Sequence, residues 1–251
     1  MLTKTLTLAA ALTLAVAGGH GHLHAKNGKT PPGNPCGGGP GKGTGNPCNG
    51  NSGNAGQNGN AGDRGAAPQF VVIPRPDGEN RGAYIAQIGT THQARIDQQN
   101  NRQYARIEQS GTQNRANVDQ RGVGEHFTEL IQQGDENDFE LRQEGAGANV
   151  LYASQQGDQN RIDAVQSQTG AIYNAAIVSQ KGNRNDLALA QDGADNQATL
   201  VQQGDDNIMS ATQIGDGNRL NWLQDGSNLS DLMIHQSGGA AMQVTQTNSG
   251  R

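Results

Sequence analysis

The stretch Gln191-Asp192-Gly193-Ala194-Asp195-Asn196-Gln197-Ala198-Thr199-Leu200-Val201-Gln202 decides how this chain folds. Asn196, Ala198, Leu200 and Gln202 occupy every second position, so in an extended strand their four side chains face the same way. The next unit repeats the order with Asn207, Met209, Ala211 and Gln213, and the one after with Asn218, Leu220, Trp222 and Gln224. Earlier units give Asn114, Ala116, Val118 and Gln120, then Asn160, Ile162, Ala164 and Gln166. Four residues rich in Gly and Asp separate each Gln from the next Asn. Gly supplies positive φ there and Asp bonds to the local backbone, so each unit reads as a strand of about seven residues and a tight turn.

Working outward, the Gln recurs at 87, 98, 109, 120, 132, 143, 155, 166, 180, 191, 202, 213, 224, 236 and 246. Nine of the fourteen intervals are eleven residues, three are twelve, and the outliers are fourteen and ten, which is the signature of a solenoid. A helix fails on period: apolar residues return at spacing two, and a Gly in every unit would cost a helix about 1 kcal/mol. The expected fold is all-β, a two-sheet β-solenoid with two strands and about 22 residues per coil. Stacked coils place Asn above Asn and Gln above Gln at about 4.8 Å, so side-chain amides bond in ladders along the axis. That gives buried amides the partners they need. The expected ladder set is Gln109, Asn114, Gln120, Asn137, Asn160, Gln180, Asn185, Gln191, Asn196, Gln202, Asn207, Gln213, Asn218 and Gln224, with turn glycines Gly111, Gly182, Gly193, Gly204, Gly215 and Gly226.

Composition agrees: 32% hydrophobic and 3% aromatic residues with 37 glycines cannot fill a broad core, but suffice for a thin two-sheet interior. The register of Gln, Gly and Asn argues against a disordered low-complexity chain, which needs none. A net charge of -5 argues against a nucleic-acid surface and a polybasic membrane patch. Charges such as Arg115, Asp119, Arg161, Asp163 and Asp186 alternate with the inward set and are expected on solvated faces.

The N-terminus reads as an export signal over 1–17, with Lys4, an apolar run and small residues at Ala15-Val16-Ala17; a second candidate cut follows Ala25. The run stops at Gly18, short of the about 20 apolar residues a spanning helix needs. Residues 18–80 read as a flexible, disordered Gly/Asn/Pro-rich leader, and 81–251 as the solenoid. Cys36 and Cys48, each in Asn-Pro-Cys, are a candidate disulfide in an oxidising compartment. His20, His22 and His24 would remain only if cleavage falls after Ala17, and a solvated accident of composition outweighs a metal site. His92, His126 and His235 lie far apart without a neighbouring nucleophile, the eleven-residue period does not match the nine-residue calcium β-roll, and no Gly-rich turn opens a helix. No catalytic residue, cofactor, metal or small-molecule substrate is expected.

At this point the residues resemble a known family. The curlin repeat of bacterial curli fibre subunits has the form Gln-x-Gly-x-x-Asn-x-Ala-x-x-x-Gln. Gln109, Gly111, Asn114, Ala116 and Gln120 match it in full, as do Gln191, Gly193, Asn196, Ala198 and Gln202; Ile162, Leu187, Met209 and Leu220 replace the Ala in near matches. The resemblance spans roughly 81–246. It implies a secreted subunit that polymerises into extracellular, cell-surface amyloid for adhesion and biofilm matrix. Its implied partners are further copies of itself, other curlin subunits and the outer-membrane curli export machinery, to which the leader would be directed. A minor nucleator or adhesive subunit is the alternative reading. The arginines at 102, 106, 115, 121, 142, 161 and 184 lean toward it as a basic surface for acidic sugars. A monomeric surface-binding solenoid would need a flat exposed Thr ladder, which the mixed outward positions do not supply.

The units are not equal. From Gln180 to Gln224 the spacing is a strict eleven, whereas Gln120–Gln132 carries an extra residue and puts His126, Thr128 and a candidate Glu129 inward. The expectation is a ladder interrupted there, with buried amides left short of bonds.

Overall fold

The computed structural model describes residues 70–76 and 81–248. Among them are fifteen strands and no helix. An eight-stranded sheet holds the odd strands: β1 (Gly82–Thr90), β3 (Tyr104–Thr112), β5 (Phe127–Asp135), β7 (Asn149–Gln156), β9 (Asn174–Lys181), β11 (Gln197–Gln203), β13 (Arg219–Asp225) and β15 (Ala241–Thr247). A seven-stranded sheet holds the even ones: β2 (Gln93–Gln98), β4 (Arg115–Gln120), β6 (Asp138–Gly145), β8 (Arg161–Gln168), β10 (Asp186–Asp192), β12 (Ile208–Ile214) and β14 (Leu232–Ser237). Each strand pairs in parallel with the one two places along the chain, as in β11 with β13, where Ala198 pairs with Leu220 and Gln202 with Gln224. This is the all-β, two-sheet solenoid that the period of two and the eleven-residue unit predict.

The two inner faces meet in one thin core. Ile107, Leu130, Val178 and Leu200 of the first sheet and Val118, Leu141, Ile162 and Leu187 of the second are buried within it, and Trp222 is 2% exposed. Each fully buried side chain of this size contributes about 1.5–3 kcal/mol by leaving water. Every coil adds only a few of them.

Ladder partners lie 22, 23, 23, 25, 22, 22 and 22 residues apart in the eight-stranded sheet. The expected coil of about 22 is therefore the minimum. The excess has a location. Turns that follow odd strands, the first corner, keep the eleven-residue unit from Gln87 to Gln213. Turns that follow even strands, the second corner, contain the intervals 120–132, 143–155 and 166–180, and these three turns stack on one another. A widened turn needs a widened neighbour, since coil sits on coil. Units that are far apart in sequence are adjacent in space.

The first corner has a fixed form: a Gly at positive φ, one further residue, a left-handed residue, then the ladder position. Gly182, Asn183, Arg184 (φ 53°) and Asn185 are one instance; Gln113, Glu136, Gln159 and Asp206 hold the left-handed position in others. At Gly182 (φ 124°) a Cβ would stand 2.1 Å from the Gly204 carbonyl oxygen of the next coil. Glycine is thus required both by conformation and by the closeness of the stacked turns.

Two expectations need correction. Glu129 is not inward: its place beside Arg106 and Tyr152 in the β3–β5–β7 register is on the outer face. His126 and Thr128 are inward and buried, but the amides around them are not left short. Gln120 Nε2 donates to Thr128 Oγ1 (3.3 Å), Thr128 Oγ1 donates to Gln143 Oε1 (2.9 Å), and Asn149 Nδ2 donates to His126 Nδ1 (3.3 Å). A hydroxyl and an imidazole nitrogen stand in for the missing amides, since the position demands hydrogen-bonding capacity and not one residue type.

The segment 70–76 lies inside the expected leader yet packs on the solenoid. Ile73 is 3% exposed against Phe127, Val150 and Ala175; its N–H donates to Gln197 Oε1 (2.9 Å) and its carbonyl accepts from the Tyr173 hydroxyl (2.7 Å). Arg75 pairs with Glu125. The expected signal segment, Cys36, Cys48, His20, His22 and His24 lie outside the described residues.

Candidate functional site

The repeated polar interior is where function must be sought, and it consists of two kinds of ladder. The glutamine ladders run through both sheets. In the first, Gln109 Nε2 donates to Gln132 Oε1 (2.8 Å), Gln180 to Gln202 (2.9 Å) and Gln202 to Gln224 (2.9 Å). In the second, Gln120 donates to Gln143 (2.8 Å), Gln166 to Gln191 (2.7 Å) and Gln191 to Gln213 (2.8 Å). Every amide points the same way, donating toward the C-terminal coil. Its nitrogen also reaches a backbone carbonyl at the start of the preceding strand across the core: Gln109 to Gln93 (3.2 Å) and Gln213 to Gln197 (3.2 Å).

The asparagines form the expected amide-on-amide stack, as where Asn137 Nδ2 donates to Asn114 Oδ1 (3.1 Å), Asn185 to Asn160 (3.0 Å) and Asn218 to Asn196 (2.8 Å), and they bind the backbone as well. Each grips the turn of the following coil with both ends. Asn160 Oδ1 accepts the Asn185 backbone N–H (3.1 Å), while Asn160 Nδ2 donates to the Gly182 carbonyl (2.7 Å). Asn114, Asn137, Asn185 and Asn207 do the same at the first corner, on Gly134, Gly157, Gly204 and Gly226. At the second corner Asn196 grips Gly215 (2.7 Å) and accepts from the Asn218 N–H (3.1 Å). The repeat's Gln-Gly-Asn spacing is therefore one device: a strand-end amide, a turn that admits close stacking, and a clamp on the turn above.

That device closes every described polar position inside except one. Gln168 Oε1, at the end of β8 within the fourteen-residue interval, is buried without a partner, and it fills the space that a Cβ on Gly147 would need. His126, also at the second corner, donates from Nε2 to the Arg121 carbonyl (2.7 Å), which leaves Nδ1 as the acceptor for Asn149. Burial pushes the His126 pKa below its ordinary value, and the carbonyl bond offsets only part of that.

The outer faces are unlike. On the eight-stranded sheet an aromatic row runs from Tyr84 to Tyr104 (5.7 Å between ring centroids), Phe127 (4.9 Å) and Tyr152 (5.5 Å), continued by Ile73. Burial first, then the neighbouring Glu129, pushes the Tyr152 hydroxyl up to about 12. On the seven-stranded sheet ion pairs bridge residues two apart on the same strand, Arg95–Asp97 (3.0 Å), Arg142–Glu144 (2.6 Å) and Arg161–Asp163 (3.7 Å). These exposed pairs contribute little to stability. They do matter for the arginines, which the carboxylates largely neutralise.

Both sheets end in open edges among the described residues. β1 pairs only with β3, β2 only with β4, β14 only with β12 and β15 only with β13. Gln87 and Gln98 open the two glutamine ladders, and Gln246 and Gln236 end them. Such an edge is a row of unsatisfied donors and acceptors, and a template for another strand. Among the described residues no group of His, Cys, Asp and Glu is placed to hold a metal ion, and no helix is long and apolar enough to cross a membrane.

Residues 182–215 match the family model of the curlin associated repeat. The match supports the curlin-repeat family and points to curli-type amyloid subunits. It falls on the strictest part of the register, where every unit holds eleven residues. No curated protein and no solved structure matches the chain.

Proposed function

We propose that this chain is a secreted structural subunit of curli-like extracellular fibres, which grows by end-to-end addition and serves cell adhesion and biofilm matrix. One observation carries the reading: both sheets and both glutamine ladders run from the first described coil to the last and, among the described residues, stop at uncovered strand edges. A globular solenoid normally carries terminal caps with a polar outer face. Here the last coil presents the same amide geometry as the first, so a second copy meets each edge with matching groups.

The partners in this reading are further copies of the chain, other curlin subunits and an outer-membrane export pore. Localisation is the cell surface, and no substrate or cofactor is involved. The nucleator or adhesin alternative drew on a basic surface. Six of those seven arginines, Arg102, Arg106, Arg121, Arg142, Arg161 and Arg184, face carboxylates, and Arg115 stands opposite Asp138 in the β4–β6 register, which weakens that motive. The test is polymerisation of the purified chain without its signal segment. Thioflavin-positive fibres with reflections near 4.7 and 10 Å are expected, and a chain that stays monomeric for days at about tens of micromolar overturns the reading.

A further inference from the structure

Granting end-to-end assembly, we infer that successive copies join with a half-turn about the fibre axis, so that β14 of one copy pairs with β1 of the next and β15 pairs with β2. The argument begins with parity. The described strands number fifteen and alternate between sheets, so β15 lies in the eight-stranded sheet and the next position belongs to the seven-stranded one. Stacked without rotation, β1 of the next copy would cover β15, but β2 would then stand two strand spacings above β14, about 9.6 Å at about 4.8 Å each. That hole leaves the facing backbone groups of two strands unpaired, at about 1–3 kcal/mol for each one shut away from water.

The half-turn leaves no hole, and the ladders permit it because the two sheets are equivalent half-steps of one screw. From the seven-stranded sheet Gln98 Nε2 reaches the Gly82 carbonyl and Gln213 that of Gln197, each sixteen residues back. From the eight-stranded sheet Gln109 reaches Gln93 and Gln224 reaches Ile208, again sixteen back. Turning the molecule by half a revolution and advancing it by half a coil therefore lays one ladder on the other. At the joint Gln236 faces Gln87 of the next copy and Gln246 faces Gln98, donor to acceptor, in the sense that every internal step already has.

Side chains at the two ends agree. Aligning Gln236 with Gln87 sets Ile234 over Ile85, which is 47% exposed at the open end. The same register sets Met233, 77% exposed, beside Tyr84, 54% exposed. Two conspicuous apolar side chains thereby cover each other, and a sulfur against a ring is a favourable contact. Without rotation Met233 borders the hole.

The test is cysteine pairing across the joint in the full chain, with Cys36→Ser and Cys48→Ser as background. Thr245→Cys with Asp97→Cys should crosslink copies in grown fibres, because the half-turn register aligns these outward positions. Thr245→Cys with Ala86→Cys reports the unrotated joint and should stay uncrosslinked. Helical reconstruction supplies a second readout. Deleting residues 186–196 removes one eleven-residue unit and leaves an even strand count, so the rotation per subunit should change by half a turn. Crosslinking of the second pair, or fibres of both chains with equal rotation per subunit, overturns the half-turn joint while leaving end addition intact. If the background protein forms no fibres at all, the underlying reading fails and this inference with it.

Discussion

The two corners of the coil are built from the same eleven-residue unit, and they have diverged. The first corner repeats Gly, a spacer, a left-handed residue and Asn with an unbroken clamp from Asn114 to Asn207. The second holds Gln103, His126, Asn149 and Asn174 at the clamp position, three lengthened turns, the orphan Gln168 oxygen and the docked segment around Ile73. One corner carries the strain of repeated left-handed residues and keeps its length through six turns, lengthening only in the last, Gln224–Gln236. The other admits insertions, provided that stacked neighbours change together. Regularity in this fold is a property of a column, not of the chain.

The sharpest way to break that contrast is to add one methyl group. Gly182→Ala places a Cβ 2.1 Å from the Gly204 oxygen at the first corner, whereas at the second corner the contact depends on the coil: Gly193→Ala would meet the Gly215 oxygen at 2.3 Å, but Gly215→Ala meets nothing nearer than 3.6 Å. Gly182→Ala and Gly215→Ala both pay about 1–2 kcal/mol for a left-handed alanine, but only the first must also separate two coils. Gly182→Ala should therefore lower the denaturation midpoint far more than Gly215→Ala, and equal losses would show that the closeness of the stacked turn does not set the cost.

Next in size is the clamp. Asn160→Ala strips partners from the Asn185 N–H and the Gly182 carbonyl, at about 1–3 kcal/mol for each group left buried and unpaired. His126→Asn, at the same position of the other corner, restores the repeat's own residue and should cost less than about 1 kcal/mol. Urea denaturation of the two variants checks this, and a larger loss for His126→Asn would mean that the second corner has become specific to its imidazole.

The smallest effect is a dependence on pH confined to the second corner. Because burial lowers the His126 pKa, the folded chain favours the neutral ring. The stability this provides is complete above the ordinary value of 6.5 and is lost as pH falls from there toward the folded pKa. Protonated Nδ1 would also confront the Asn149 amide. The wild type should lose stability across that window, and the loss should be smaller in His126→Asn. Identical pH profiles would assign the dependence elsewhere.

Much of this was legible in the sequence, and for a physical reason. Gln and Asn inside a sheet are tolerated only where their partners repeat, so Gln191, Asn196 and Gln202 announce both the period and the stacking. Even the intervals of twelve and fourteen are visible. Their meaning is not, because 120–132, 143–155 and 166–180 become neighbours only after alternate units are assigned to alternate sheets. The left-handed residue before each first-corner Asn has no common identity, being Arg184, Asp206 or Gln159, since the backbone there is imposed by the turns on either side. Ile73 gives no periodic signal: a single apolar residue docks by matching a patch formed by Phe127, Val150 and Ala175 from three coils.

The common direction of the glutamine amides has a further consequence. In a parallel sheet the backbone dipoles of a strand point alternately up and down and nearly cancel. The glutamine amides do not alternate. From Gln87 to Gln246 in one column and from Gln98 to Gln236 in the other, each carboxamide adds its moment to those beneath it. Each glutamine column is therefore polarised along the axis with a moment that grows with length, and the asparagine columns, in which Asn185 Nδ2 donates back to Asn160 Oδ1, run in the opposite sense beside them.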